Sequence, residues 1–395
     1  MNIFAAVTTG KGPSAIATIQ VFGDKADIVI KKIFKPAKAE TDDFQAGKIY
    51  LGTINDGDAV IDQVTIGCEE KNYLTINCHG NPLIVEIITQ QLALHGVELV
   101  SGREILTKIL TKHHPNNTIA VEAKLAQTQA KTIEGTKIIL NQIETGLYRE
   151  AAGWLDKTDA ASLRKIQSRA AEIIKAGRTA RIIINGCKIV LTGPPNTGKS
   201  TMLNHLAGSR KAVTADAGGT TRDWVTAACQ IHDLFAVFID TAGVDEKTLA
   251  GDTESIEKTS QERSLQMLDK ADLILLVLDI NDNNSRIGKA LLEKITGKKA
   301  VAVLNKCDLV HHLDISRLPE ILKDNTVQIS ALTGSGTDGL LKKISDALGV
   351  SSFDNSQPVC FTGRQEGLLE HLIAAKSDNE AVSAITELLN GKIQI

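Results

Sequence analysis

Long apolar runs are missing from this sequence. The longest, Leu273-Ile-Leu-Leu-Val-Leu278, falls far short of the ~20 residues that a membrane-spanning helix needs, and its length suits a sheet strand. No segment resembles a signal peptide, since the N-terminus turns polar by Thr8-Thr-Gly-Lys11. A cytoplasmic protein with no membrane partner is expected. Paired cysteines are missing as well. The six, at positions 68, 78, 187, 229, 307 and 360, have no CxxC spacing, which excludes a disulfide framework and a zinc site and leaves buried small hydrophobes. Excess charge is also absent: 44 Lys and Arg face 47 Asp and Glu, a formal net charge of −3. A nonspecific nucleic-acid binder is thereby excluded, and any RNA contact must be local. Proline is absent from Thr118 to Ala180, where Ala, Leu, Ile, Lys and Glu recur at three-to-four spacing, predicting an all-helical block.

What is present concentrates in the second half. Gly193-Pro-Pro-Asn-Thr-Gly-Lys199-Ser200 fits the phosphate-loop pattern G-x-x-x-x-G-K-[ST] in full. Ile189-Val190-Leu191 ahead of it reads as a buried strand, and Thr201 to Ala207 reads as a helix stopped by Gly208. Gly193, Asn196, Thr197 and Gly198 would present backbone to an anion at that helix N-terminus. Lys199 would reach the β- and γ-phosphates, the Ser200 hydroxyl would ligate Mg²⁺, and Thr201 would complete the loop contacts. Asp240-Thr-Ala-Gly243 closes the apolar run Phe235 to Ile239, placing Asp240 by the Mg²⁺ water shell and the Gly243 N–H by a γ-phosphate. Asn305-Lys306-Cys-Asp308 ends the run Ala300 to Leu304. A carboxylate at Asp308 accepts from the N1–H and 2-amino groups of guanine, donors that adenine lacks. Ser330-Ala331-Leu332 follows Thr326-Val-Gln-Ile329 and offers a backbone N–H to guanine O6. Four such motifs in this order predict GTP as the nucleotide and hydrolysis as the activity.

At 395 residues the chain is long enough for two or three cores. Residues 1–112 mix strand-like and helical runs and read as an α+β domain. Residues 186–350 alternate strands and helices, predicting an α/β domain with a parallel sheet covered on both faces. Helical stretches at 113–185 and 351–395 flank it, so the expected architecture is a P-loop GTPase domain inserted in an all-α helical domain.

The chain resembles the tRNA-modification GTPase MnmE (TrmE) family in a divergent, shortened form. The resemblance rests on Asp216-Ala-Gly-Gly-Thr-Thr-Arg-Asp223, similar to D-x-A-G-T-T-R-D, and on the inserted layout. Cys78-His-Gly80 is similar to the family's H-C-H-G-G segment, and Arg364-Gln-Glu366 to the start of its returning helices. It implies a homodimer, a flavoprotein partner, tRNA as substrate and formyl-tetrahydrofolate as a family cofactor. It also implies K⁺ beside the phosphates, held by Asn196 and carbonyls of the loop Ala215-Asp-Ala217-Gly-Gly-Thr220, with Thr221 on Mg²⁺. A local Asx turn is the other reading of Asn196. Val244 follows Gly243 where Ras-like GTPases place a water-orienting glutamine. The second switch of the family puts that role on Glu257, catalytic alongside Lys199, with Glu254 and Glu262 as competitors.

Departures from the family cluster at the folate chemistry. Its arginine falls on Gln20, its glutamate near Thr75, and its lysine has no counterpart in Pro115-Asn-Asn-Thr118. Formyl-folate is therefore expected to bind poorly. The family's cysteine-containing tail is matched only by Leu388 to Ile395, with no thiol, since Cys360 lies before the returning helix. Arg164, Lys165 and Arg169 to Lys175, Arg178 and Arg181 form either a tRNA surface or a solvated helical face. Two functions follow: a GTPase powering wobble-uridine modification, or a GTP-gated switch that has lost that chemistry and serves another partner.

Overall fold

The computed structural model describes residues 3–10, 12–38, 43–155, 160–209, 225–240, 266–282, 287 and 289–393. The chain divides into two compact units, 1–125 with 390–395, and 126–389.

The first unit runs β1 (Ile3–Val7), β2 (Ser14–Gly23), α1 (Ala26–Ile33), β3 (Phe34–Pro36), β4 (Lys48–Asp56), β5 (Ala59–Glu70), β6 (Tyr73–Gly80), α2 (Pro82–Leu94), β7 (Glu98–Leu99), α3 (Gly102–His113) and α4 (Thr118–Gln127). Its strands form one sheet in the order β3-β4-β5-β6-β2-β1-β7, antiparallel except for β1 with β7. Alternation drives the packing: Ala17, Ile19 and Val21 of β2 are buried, while Thr18 and Gln20 between them are half-buried. The inward set joins Val29 and Ile30 of α1 and Ile88 and Leu92 of α2 in one core. On the other face α3 sets Ile105 and Ile109 against Ala6 and Phe22. Helix starts are specified locally. Asn81 caps α2 ahead of Pro82, and Ser101 with Glu104 makes a reciprocal capping box on α3.

The second unit continues with α5 (Ile133–Asn141), α6 (Leu147–Leu155), α7 (Ala160–Asn185), β8 (Cys187–Thr192), α8 (Lys199–Ser209), β9 (Val225–Ile231), β10 (Leu234–Asp240), β11 (Leu273–Asp279), α9 (Lys289–Thr296), β12 (Ala300–Asn305), α10 (Glu320–Lys323), β13 (Thr326–Gln328), α11 (Thr337–Leu348), α12 (Gly363–Ala374) and α13 (Asp378–Asn390). The sheet order is β13-β12-β11-β8-β10-β9. Five strands are parallel, and β11 and β12 read as unbroken apolar runs because both faces are covered. One face packs on Met202, Leu203, Leu206, Leu340 and Ile344, the other on Leu268, Ile295 and Leu322. The expected parallel sheet needs one correction, since edge strand β9 runs antiparallel to β10. Only two residues, His232 and Asp233, separate these strands, and so short a link permits only a hairpin. A second correction concerns α8, which continues through Gly208 to Ser209.

Segments on either side of this sheet touch. The Gln142 side chain, fully buried, donates to the Ile138 and Gln357 carbonyls and accepts from the N–H groups of Leu147 and Val359. A Cβ on Gly177 of α7 would lie 2.4 Å from the Cys360 carbonyl oxygen. Five of the six cysteines are buried and none is disulfide-bonded, as their spacing suggests. Burial pushes the Cys78 and Cys360 thiols up to about 11, which keeps them protonated and unreactive.

Candidate nucleotide site

The carboxyl ends of the five parallel strands open on one edge of the sheet, with β8 flanked by β11 and β10. Ligands of such sheets bind there, outside the strand ends where the winding direction changes. The loop after β8 is held by two glycines. Gly193 (φ 141) lies so near β11 that a Cβ would come within 2.2 Å of the Val277 carbonyl oxygen. Gly198 (φ 90) would bring one within 2.3 Å of Asn305 Nδ2. Asn196 takes a left-handed φ of 60, which asparagine tolerates. Its side chain makes no hydrogen bond among the described residues, so an Asx turn does not account for it.

Lys199 opens α8 and is buried, its ammonium donating to the carbonyls of Gly193 (3.0 Å) and Pro194 (2.8 Å). Thr197, also buried, donates to the Pro194 carbonyl at 3.0 Å. The Ser200 hydroxyl donates to Asp240 Oδ2 at 2.6 Å, and Thr201 beside it is exposed. A hydroxyl and a buried carboxylate beside an anion-binding loop form the oxygen donor set that Mg²⁺ prefers, so these residues fit that ion.

Asn305 ties the site together. Buried at the end of β12, it donates through Nδ2 to the Thr197 carbonyl (2.8 Å) and accepts at Oδ1 from the Ala331 N–H (2.9 Å). One side chain thus fixes the phosphate loop, its own strand end and the 330–332 turn in mutual register. Lys306 Nζ bridges the Asn196 carbonyl (2.9 Å) and Asp279 Oδ2 (2.6 Å). Asp308 is exposed and makes no hydrogen bond among the described residues, leaving its carboxylate available to a base. In the 330–332 turn the Ser330 N–H donates to the Ser335 carbonyl and that of Ala331 to Asn305. The Leu332 N–H makes no hydrogen bond among the described residues, and its side chain is 79% exposed.

Sequence reasoning missed Asp279. Its signal was available, since it closes the apolar run of β11 as Asp240 closes that of β10 and Asn305 that of β12. Ala215, Ala217, Thr220, Thr221, Gly243, Val244, Glu254, Glu257 and Glu262 lie outside the described residues.

The basic stretch of α7 is less free than its sequence suggests. Arg169 pairs with Glu172 (2.7 Å) and Glu150 (3.4 Å), and Arg181 with Glu366 (2.5 Å), which Arg178 also approaches. Glu366 comes from α12, far along the chain, so no local window reveals the neutralisation. In the first unit, Gln20 and Thr75 prove to be directly facing cross-strand neighbours. Beside them Thr18 Oγ1 donates to Asn77 Oδ1 at 2.8 Å. A neutral hydrogen-bonding strip occupies the place where the resemblance expects opposite charges.

The phosphate loop, the Ser200–Asp240 pair and the guanine-reading strand ends together define a P-loop GTPase. Residues 188–306 match the family described as 50S ribosome-binding GTPase. Nearly the whole chain is similar to curated proteins named tRNA modification GTPase MnmE. That of Latilactobacillus sakei subsp. sakei (strain 23K) is 28% identical over 97% of this chain and 89% of its own. That of Bacillus thuringiensis (strain Al Hakam) is 28% identical over 97% and 90%, and that of Ligilactobacillus salivarius (strain UCC118) 27% over 90% and 82%. Over nearly its whole length the chain is similar to the MnmE family of GTPases, at a divergent level of identity.

Proposed function

We propose that this chain binds and hydrolyses GTP to drive modification of tRNA. The observation that carries the reading is the extent of the similarity. It spans 97% of the chain, so it includes the first unit and the helices as well as the nucleotide site. Asp308 reads the guanine edge, and the Leu332 N–H meets O6. Ser200 and Thr221 would hold Mg²⁺ with Asp240 at its water shell, and the ion when bound would offset the phosphate charge. Lys199 turns from its loop carbonyls to the β- and γ-phosphates. Asn196 and the carbonyls of Ala215, Ala217 and Thr220 hold K⁺, and Glu257 positions the attacking water. Hydrolysis is then faster in KCl than in NaCl at matched ionic strength, and Glu257→Gln lowers kcat roughly ten- to a thousand-fold at unchanged GTP affinity.

The GTPase fold is inserted in a helical domain made of 113–185 and 351–395, after an N-terminal domain of 1–112. The contacts of Gln142 with 357–359 and of Gly177 with Cys360 support that arrangement. The chain acts as a cytoplasmic homodimer with a flavoprotein partner. Among the described residues no helix is long and apolar enough to cross a membrane.

A second reading, a GTP-gated switch without uridine chemistry, is favoured by one observation: Gln20 and Thr75 face each other and neither carries charge. Charged formyl-tetrahydrofolate finds no ionic partner there. Incubating the protein with the flavoprotein, GTP, formyl-folate and unmodified tRNA separates the two. Modified uridine supports the first reading. GTP turnover with unaltered tRNA leaves the switch.

A further inference from the structure

We propose that the cavity between α6 and α7 binds a phosphate-bearing ligand. It is an open depression of about 540 Å³, lined by Thr145, Arg149, Glu150, Gly153 and Trp154 from one side, and by Ser162, Lys165, Ile166 and Arg169 from the other. That volume lies within the range of small-ligand pockets. The α7 residues fall at i, i+3, i+4 and i+7, a single helical face. A face turned toward a neighbouring helix is ordinarily an apolar stripe. Here Ile166 and Trp154 are the apolar members, and three cations stand against one carboxylate.

The cations differ in availability. Arg169 is held by Glu172 and Glu150, and those hydrogen bonds raise its pKa further. Arg149 and Lys165 are exposed, and neither has an ion-pair partner among the described residues. Glu150 is thus committed to Arg169, leaving two positive side chains at the mouth with no carboxylate paired to them among the described residues. Guanidinium and ammonium groups converging on one opening suit phosphate oxygens, arginine by its paired N–H groups and lysine as a point charge.

Gly153 lines this space with no side chain, although glycine is a poor choice inside a helix. Among the described residues no heavy atom outside its own helical turn lies within 4 Å of where its Cβ would be. A larger side chain there meets open space at the rim of the cavity that Gly153 lines.

The phosphate comes either from a free mononucleotide or from the backbone of tRNA; the second source rests on the function proposed above. Trp154 lines the cavity and is one of two tryptophans, so a Trp224→Phe background makes it the sole indole reporter. The full-length protein is titrated with adenosine monophosphate, which the guanine site rejects, and separately with tRNA. Arg149→Glu, Lys165→Glu and Gly153→Leu are compared in the same background. GTP hydrolysis serves as the folding control, because none of the three residues lies at the nucleotide site. A saturable change in Trp154 emission with the mononucleotide, lost in all three variants, assigns the cavity to a small ligand. tRNA affinity weakened about tenfold or more by each variant, with the salt slope lowered by about one for each cation reversed, assigns it to RNA. Variants that hydrolyse GTP normally, bind tRNA like the parent and match its silence toward the mononucleotide overturn the proposal. Parent protein that binds no tRNA at all removes the tRNA-modification reading, while the mononucleotide titration still decides the cavity.

Discussion

In the six-stranded sheet the polar side chains gather at strand ends, whereas in the seven-stranded sheet they cover part of a face. Asp240, Asn305 and Thr197 are 1–2% exposed, the first two closing apolar strands and the third lying in the loop after β8. Thr18, Gln20, Thr75 and Asn77 are half-buried and lie along the middle of β2 and β6. A parallel sheet covered by helices on both sides has no face left for polar chemistry, so its site is confined to loops at one edge. An antiparallel sheet can leave a face open, and function there is carried by side chains spaced two apart on several strands. Sites of the first kind are short motifs. Those of the second kind are scattered, and losing one charge leaves the strand pattern intact.

Breaking the first site should therefore cost far more than breaking the second. Gly198→Ala combines a left-handed backbone with a clash on Asn305. A loss of about 2–4 kcal/mol in stability, with GTP binding abolished, is expected from thermal melts and nucleotide titration. Normal GTP affinity in that variant would mean that the loop does not rest on β12.

Asn305→Ala comes next. It leaves the Thr197 carbonyl and the Ala331 N–H buried without partners, at about 2–3 kcal/mol. Because the residue registers two loops, GTP affinity should fall more than the melting temperature does. Equal loss in both would reduce Asn305 to a packing residue.

The helical region supplies an intermediate case that depends on pH. The Arg181 hydrogen bond holds the Glu366 carboxyl below its usual range, against the opposing effect of partial burial. A depressed folded pKa means that the stabilisation is fully present above the ordinary glutamate value and fades as pH falls through the lower folded value. Glu366→Gln should cost about 1–2 kcal/mol at neutral pH, and the gap to the parent should close in acid. A gap that persists unchanged at pH 3 would rule out the ion pair as its cause.

The smallest effect is expected in the first unit. Asn77→Ala removes hydrogen bonds to Thr18 and Thr65 on a half-open face where water replaces them, so the change should stay below about 1 kcal/mol. A loss as large as that of Asn305→Ala would make this strip a second tightly built site and dissolve the contrast between the sheets.

Much of the nucleotide site was legible because its parts are contiguous. Gly193 to Ser200, Asn305 to Asp308 and Ser330 to Leu332 each declare a backbone shape and a chemistry within a few residues. Asp279 went unread, since a single acid after an apolar run carries little signal until Lys306 is seen against it. The paired state of Arg169 and Arg181 was equally hidden, because Glu150 and Glu366 reach them across helix interfaces.

By itself, then, the sequence determined the nucleotide and its loops, the strand and helix types, and the absence of disulfides. These depend on periodicity and on short-range backbone constraints that act within a turn or two. Only the tertiary structure decided that Asn305 fastens two loops to its strand end, that Gln20 faces Thr75, and that Arg149, Lys165 and Arg169 line one cavity. Each depends on residues far apart in the chain or on the space between elements, and side-chain reach, charge pairing and volume are settled only once the elements have packed.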